Sequence, residues 1–151
     1  MIKDCVIIGI GNPLAGDDGI GVRAVEFLRG KLPEEVTLVE GEVYSLDLLP
    51  FLEGRECAVF IDGVDLGEDP GAIYRFSPEE VAQKMPEPSL SLHDFGLYEL
   101  IAAAKLLGQC PSRLTVIAVQ VKSLETGTEL SREVEDSLPH IQRLVLEEIN
   151  G

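Results

Sequence analysis

Tryptophan is absent from this chain of 151 residues, histidine occurs twice, and aromatic side chains make up only 5%. Cysteine is scarce too: Cys5, Cys57 and Cys110 are odd in number and far apart. That spacing offers neither a disulfide framework nor a local zinc motif, so buried, reduced thiols are expected. Basic residues are outnumbered, with 12 Lys and Arg against 27 Asp and Glu, which leaves a formal charge of −15. The balance argues against nucleic acid and anionic lipid as partners, because both need clustered cations. No apolar run approaches the roughly 20 residues that cross a bilayer. The chain enters a strand directly after Lys3 and Asp4, so no signal peptide is expected.

What is present is a regular alternation of apolar runs and helical periods over a single domain, 1–151. This is the pattern of an α/β fold with a mostly parallel, helix-covered sheet. Strands are expected near 4–10, 35–40, 56–62, 71–76 and 113–120. The first, third and fifth are near-continuous apolar runs, as central strands buried on both faces should be. The fourth alternates after the Pro70-Gly71 turn and reads as an antiparallel edge strand. Helices are expected over 20–31, 46–53, from Ser77 onward with Ser77 as cap, over 94–107, and over 132–149 with a kink at Pro139. Residues 83–92 are polar and proline-rich. They read equally as a substrate-contacting loop or as an inert connection.

The segment Gly9–Gly21, GIGNPLAGDDGIG, joins the first strand to the first helix. In open α/β sheets ligands bind outside the carboxyl ends of strands, and glycine loops there usually cradle phosphate on backbone N–H groups. Here Asp17 and Asp18 put negative charge where a phosphate would sit, which favours a cation. One aspartate is explained as a helix cap, but not two. Gly19 lets the backbone bend so that one carboxylate turns away from the other. Asp62 ends the third apolar run and should share a crevice with the first loop if strands one and three are neighbours. His93 stands where the irregular segment enters an apolar helix, and a helix N-terminus keeps an imidazole neutral and able to bind metal. Asp18, Asp62 and His93 lie 44 and 31 residues apart, so any site they form is tertiary. Two carboxylates and one imidazole suit a borderline divalent ion such as zinc or nickel, and are too nitrogen-containing for calcium.

These blocks, in this order, resemble the hydrogenase maturation endopeptidases. Gly9–Gly21 matches G-x-G-N-x-L-x-x-D-D-G-x-G, Val59–Gly63 matches a V-x-x-x-D block, and Asp69-Pro70-Gly71 matches an N-P-G-like turn. Ser91, His93, Gly96 and Leu97 match S-x-H-x-x-G-L, and Ser123-Leu124-Glu125 a late S-L-E. The resemblance implies a three-layer αβα sandwich around a five-stranded sheet. It also implies a cytoplasmic endopeptidase that removes the C-terminal extension from the large-subunit precursor of a nickel–iron hydrogenase after nickel insertion. The family's metal-ligating positions fall on Asp18, Asp62 and His93. Nickel is then supplied by the precursor, although zinc or cadmium could occupy the same donors, and Asp17 is a candidate for orienting its neighbour. One departure is clear: relatives carry G-G-x-x-G after the second strand, where this chain has Gly41-Glu42-Val43-Tyr44-Ser45. Losing two glycines should change that loop's shape.

Two other readings compete. A dinucleotide-binding domain would use Gly9, Gly11 and Glu40, yet Leu14 stands where the third glycine belongs and the paired aspartates would repel pyrophosphate. A non-catalytic nickel-binding chaperone would share the same ligands. Ordinary protease classes are disfavoured, since H-E-x-x-H and G-x-S-x-G are both missing.

Overall fold

The three most apolar runs of the chain become neighbouring strands buried on both faces. The computed structural model describes residues 4–80 and 96–151. Strands β1 (Cys5–Ile10), β2 (Thr37–Glu42), β3 (Cys57–Val64), β4 (Ile73–Phe76) and β5 (Arg113–Gln120) form one sheet in the order β2-β1-β3-β5-β4. The first, second, third and fifth are parallel, and β4 pairs antiparallel with β5 at the edge. Helices are α1 (Ile20–Leu28), α2 (Leu49–Leu52), α3 (Leu97–Leu106), α4 (Arg132–Glu135) and α5 (Leu138–Asn150), with 3₁₀ turns at Gly16–Gly19 and Leu46–Leu48. Residues 78–80 open a further helix, where Ser77 Oγ accepts the Glu80 N–H at 3.3 Å.

Alternation along the central strands builds the three layers. Cys5, Ile7, Cys57, Val59 and Ile61 face α1 and α5, packing on Ile20, Ala24, Leu28, Ile141 and Val145. Val6, Ile8, Ile10, Ala58 and Phe60 face the other way, onto Leu48, Leu52, Leu100 and Ile101. Cys110 is only half-buried, unlike the other two cysteines.

Several boundaries differ from the sequence expectation. A turn in which Val36 N–H donates to Pro33 C=O at 3.1 Å delays β2 to Thr37. α1 stops at Leu28, before Gly30 takes a left-handed φ of 78°. Pro139 does not kink one long helix: the chain breaks after α4, and proline occupies the first turn of α5, where its missing N–H costs nothing. β3 runs on past Asp62, since Asp62, Gly63 and Val64 pair with Ala118, Val119 and Gln120. Asp94 lies outside the described residues.

What positions the functional edge is a close approach of α1 to the sheet. A Cβ on Gly21 would lie 2.3 Å from the carbonyl oxygens of both Ile10 and Ile61, and one on Gly9 would lie 2.2 Å from the Gly21 oxygen. Alanine is favoured over glycine in a helix by about 1 kcal/mol, but overpacking against backbone costs about 1–3 kcal/mol and neither strand can give way alone. Gly21→Ala is therefore expected to destabilise the protein by about 2 kcal/mol in a denaturant titration. A variant more stable than the parent would refute the contact.

Candidate functional site

The loop after β1 folds back on itself around the Asp18 carboxylate. Gly11 adopts a φ of 130°, and a Cβ there would lie 1.8 Å from the Asp18 backbone oxygen, so only glycine fits. Asn12 N–H donates to Asp18 Oδ2 at 2.9 Å, and Asn12 Oδ1 accepts the Leu14 N–H at 2.9 Å. Asp18 is thus tied to its own loop, and Gly19, rather than either aspartate, is the cap residue of α1.

Asp17 turns the other way and is completely buried. Its Oδ2 accepts the N–H groups of Lys122 and Ser123 at 2.7 and 2.9 Å, and the Ser131 hydroxyl at 2.8 Å. Its Oδ1 accepts the Ser131 N–H at 2.7 Å. The adjacent carboxylates therefore serve different segments: Asp18 the strand-end loop, Asp17 the connection that leaves β5. Next to it, Lys122 Nζ donates to Glu133 Oε2 at 2.7 Å. That hydrogen bond holds the Glu133 carboxyl below its ordinary range.

Asp62 is 1% exposed and follows Phe60 by two positions, so its side chain shares the Phe60 face of the sheet. Tyr44 Oη donates to Asp62 Oδ2 at 3.1 Å. The expected adjacency of strands one and three is present, with Gly9 opposite Ile61. A Cβ on Gly63 would meet Val121, Ile20 and, at 3.5 Å, the Asp17 carbonyl oxygen. The end of β3 thus lies against the Asp17-Asp18 turn, and the two expected ligand-bearing segments share one sheet edge. His93 lies outside the described residues. Among the described residues no group of three His, Cys, Asp or Glu side chains could hold a metal ion.

The remaining candidates sort plainly. Glu40 is exposed and pairs with Arg29 at 2.8 Å, which removes it as a ribose-binding acid. His140 is exposed on α5. Asp65 is exposed, but its Oδ1 accepts from the Gln120 amide at 3.2 Å and the Gly67 N–H at 3.3 Å. Sequence reasoning missed Tyr44, the one aromatic residue in an otherwise small and polar turn, and Ser131, which nothing local distinguishes. Among the described residues no helix is long and apolar enough to cross a membrane.

Comparison with known proteins gives a consistent result. A family model described as hydrogenase maturation protease (HycI) matches residues 22–148. The chain is 42% identical over 122 residues to the hydrogenase expression/formation protein HupD of Rhodobacter capsulatus, covering 80% of this chain but 58% of that protein. It is 38% identical over 136 residues to HupD of Bradyrhizobium diazoefficiens, covering 88% of this chain and 71% of the relative. Among solved structures, the hydrogenase maturating endopeptidase HybD from Escherichia coli superimposes with a TM-score of 0.83 at 29% identity, covering 95% and 90% of the two chains.

The buried Asp17 carboxylate yields a stability prediction. Asp17→Ala leaves three backbone N–H groups and a hydroxyl without their acceptor, and hydrogen bonds to a charged group contribute about 1.5–3 kcal/mol each. A loss of about 3 kcal/mol or more is expected by chemical denaturation. Faster amide exchange at 122, 123 and 131 should accompany it. Unchanged exchange at those amides would contradict the assigned role.

Proposed function

The chain belongs to the hydrogenase maturation protease family, and on that premise we propose that it is a cytoplasmic endopeptidase acting on a nickel–iron hydrogenase large-subunit precursor, from which it removes the C-terminal extension after nickel insertion. The observation that carries this reading is the meeting of two buried carboxylate-bearing segments at one sheet edge: Asp18 on the loop after β1, and Asp62 near the end of β3.

The donor chemistry supports the assignment. Two anionic oxygens and the imidazole of His93 make a mixed set for a borderline divalent ion such as nickel, with positions left for ligands from the substrate. Zinc or cadmium would fit the same donors. His93 precedes by three residues Gly96, where the described chain resumes, and a Cβ on Gly96 would lie 3.0 Å from the Tyr44 carbonyl oxygen. In this reading the nickel belongs to the precursor and marks it as ready. Asp18, Asp62 and His93 grip that nickel, and the scissile bond is thereby held against the carboxylates. The contribution is proximity, which supplies large rate factors without a strongly activated nucleophile.

Two further features agree. Cys5 and Cys57 begin β1 and β3, and Cys110 precedes β5, so all three thiols lie at the opposite edge, away from the carboxylates. Among the described residues, Leu14, Val43, Leu46 and Leu124 are large, exposed and apolar, and all sit on loops that follow β1, β2 and β5. Apolar side chains presented around a crevice suit a polypeptide substrate.

Incubation with nickel-loaded and nickel-free precursor, read by mass spectrometry, tests the proposal. Cleavage is expected only of the loaded precursor. His93→Ala and Asp62→Asn should each lower cleavage by about 100-fold or more while the chain remains folded. Normal processing by either variant would remove that residue from the mechanism. A loaded precursor that binds yet stays full length would make the chain a nickel-binding chaperone.

A further inference from the structure

Tyr44 is held from several sides. Its ring is buried and lies 5.5 Å from the Phe60 ring at 57°. The preceding turn is closed by Val43 N–H donating to Gly41 C=O at 2.6 Å, with Glu42 at a φ of 57°. Gly11 N–H fastens that turn to β1 by donating to Glu42 C=O at 2.8 Å. On the far side Gly96, at a φ of 105°, approaches so closely that a Cβ would stand 3.2 Å from Tyr44 Cβ. The turn after β2, the face of β3 and the start of α3 thus fix one ring.

A phenylalanine would satisfy all of this packing. The hydroxyl adds one thing, the hydrogen bond to Asp62 Oδ2 at 3.1 Å. Rotation of a carboxylate about its last side-chain bond is soft and roughly two-fold. A rigidly mounted donor on one oxygen therefore selects the carboxylate plane. Partners of this kind orient metal-binding carboxylates, and losing one weakens metal affinity or activity about 10–100-fold.

We propose that Tyr44 is a positioning residue for this chain's reaction: its hydroxyl sets the plane in which Asp62 presents its oxygens to the precursor's nickel. The inference rests on reading Asp62 as a nickel-facing donor. Tyr44 stands within the segment where this chain departs from the family's glycine pattern, so the device is particular to chains that place a tyrosine there. It also gives the substitution a purpose, since a bulky ring replaces a small residue beside the crevice.

The test compares the full chain with Tyr44→Phe, Asp62→Asn and, as a control in the same core layer, Ile101→Val. Readouts are thermal melting, KM and kcat on nickel-loaded precursor, and calorimetric titration with nickel(II) alone. Tyr44→Phe is expected to melt within a few degrees of the parent and to raise KM about tenfold with a smaller change in kcat. Any nickel(II) binding should weaken by a similar factor. Ile101→Val should keep the parental KM even if it melts lower. An unchanged KM in Tyr44→Phe overturns the proposal, whether or not the free ion binds. An equal rise in KM in Ile101→Val also overturns it, by making the effect one of packing. Normal cleavage by Asp62→Asn would instead sink the reading of the site beneath it, and the two failures are thereby distinguishable.

Discussion

Backbone resting on backbone, where α1 crosses β1 and β3, is the contact from which the functional edge is built. Gly9 and Gly21 leave no side chain between helix and sheet, and the carbonyls of Ile10 and Ile61 flank the gap. This pulls the 3₁₀ turn Gly16–Gly19 down onto the strand ends. Two carboxylates 44 residues apart in the chain are thereby brought to one edge. Were α1 held at an ordinary side-chain distance, the turn would ride higher and Asp18 would face open solvent.

The pair Asp17-Asp18 shows how adjacent identical residues divide labour. Both sit in a turn whose tight winding sends successive side chains in different directions. Asp17 enters the protein and collects donors from the segment after β5. Asp18 stays with the loop after β1. A buried carboxylate with four donors is an electrostatic anchor, and it costs little because each of its lone pairs in use replaces a lost water contact. The connection Val121–Ser131, which carries the exposed Leu124, is consequently tied to the same turn that presents Asp18.

Much of the fold was legible from local pattern. β1, β3 and β5 are buried on both faces, so their unbroken apolar runs identified them, and β4 betrayed its edge position by alternating after Pro70-Gly71. Boundaries were less legible where turns intervened: Pro33 shifted β2, Gly30 shortened α1, and Pro139 started a helix where a kink was expected. Asp18 and Asp62 stood out because each interrupts an apolar or glycine-rich pattern. The partners of Asp17 could not be read, since Lys122, Ser123 and Ser131 are more than 100 residues away and carry no periodic mark. Tyr44 was invisible for a different reason. A single ring in a turn has no period, and only the fold reveals that it points at Asp62. His93 entered through motif and resemblance, and lies outside the described residues.

The turn after β2 has one more implication. Glu42 occupies a left-handed conformation that ordinarily selects glycine, and an L-residue there carries a cost of about 1–2 kcal/mol. The turn keeps its course because Gly11 N–H and the short Val43–Gly41 bond hold it from both sides. Path and side-chain identity are uncoupled at this corner: neighbouring strands dictate the trace, so the amino acids along it are left at liberty to diversify. A rim built this way can change what it offers to a visiting polypeptide without moving the walls behind it.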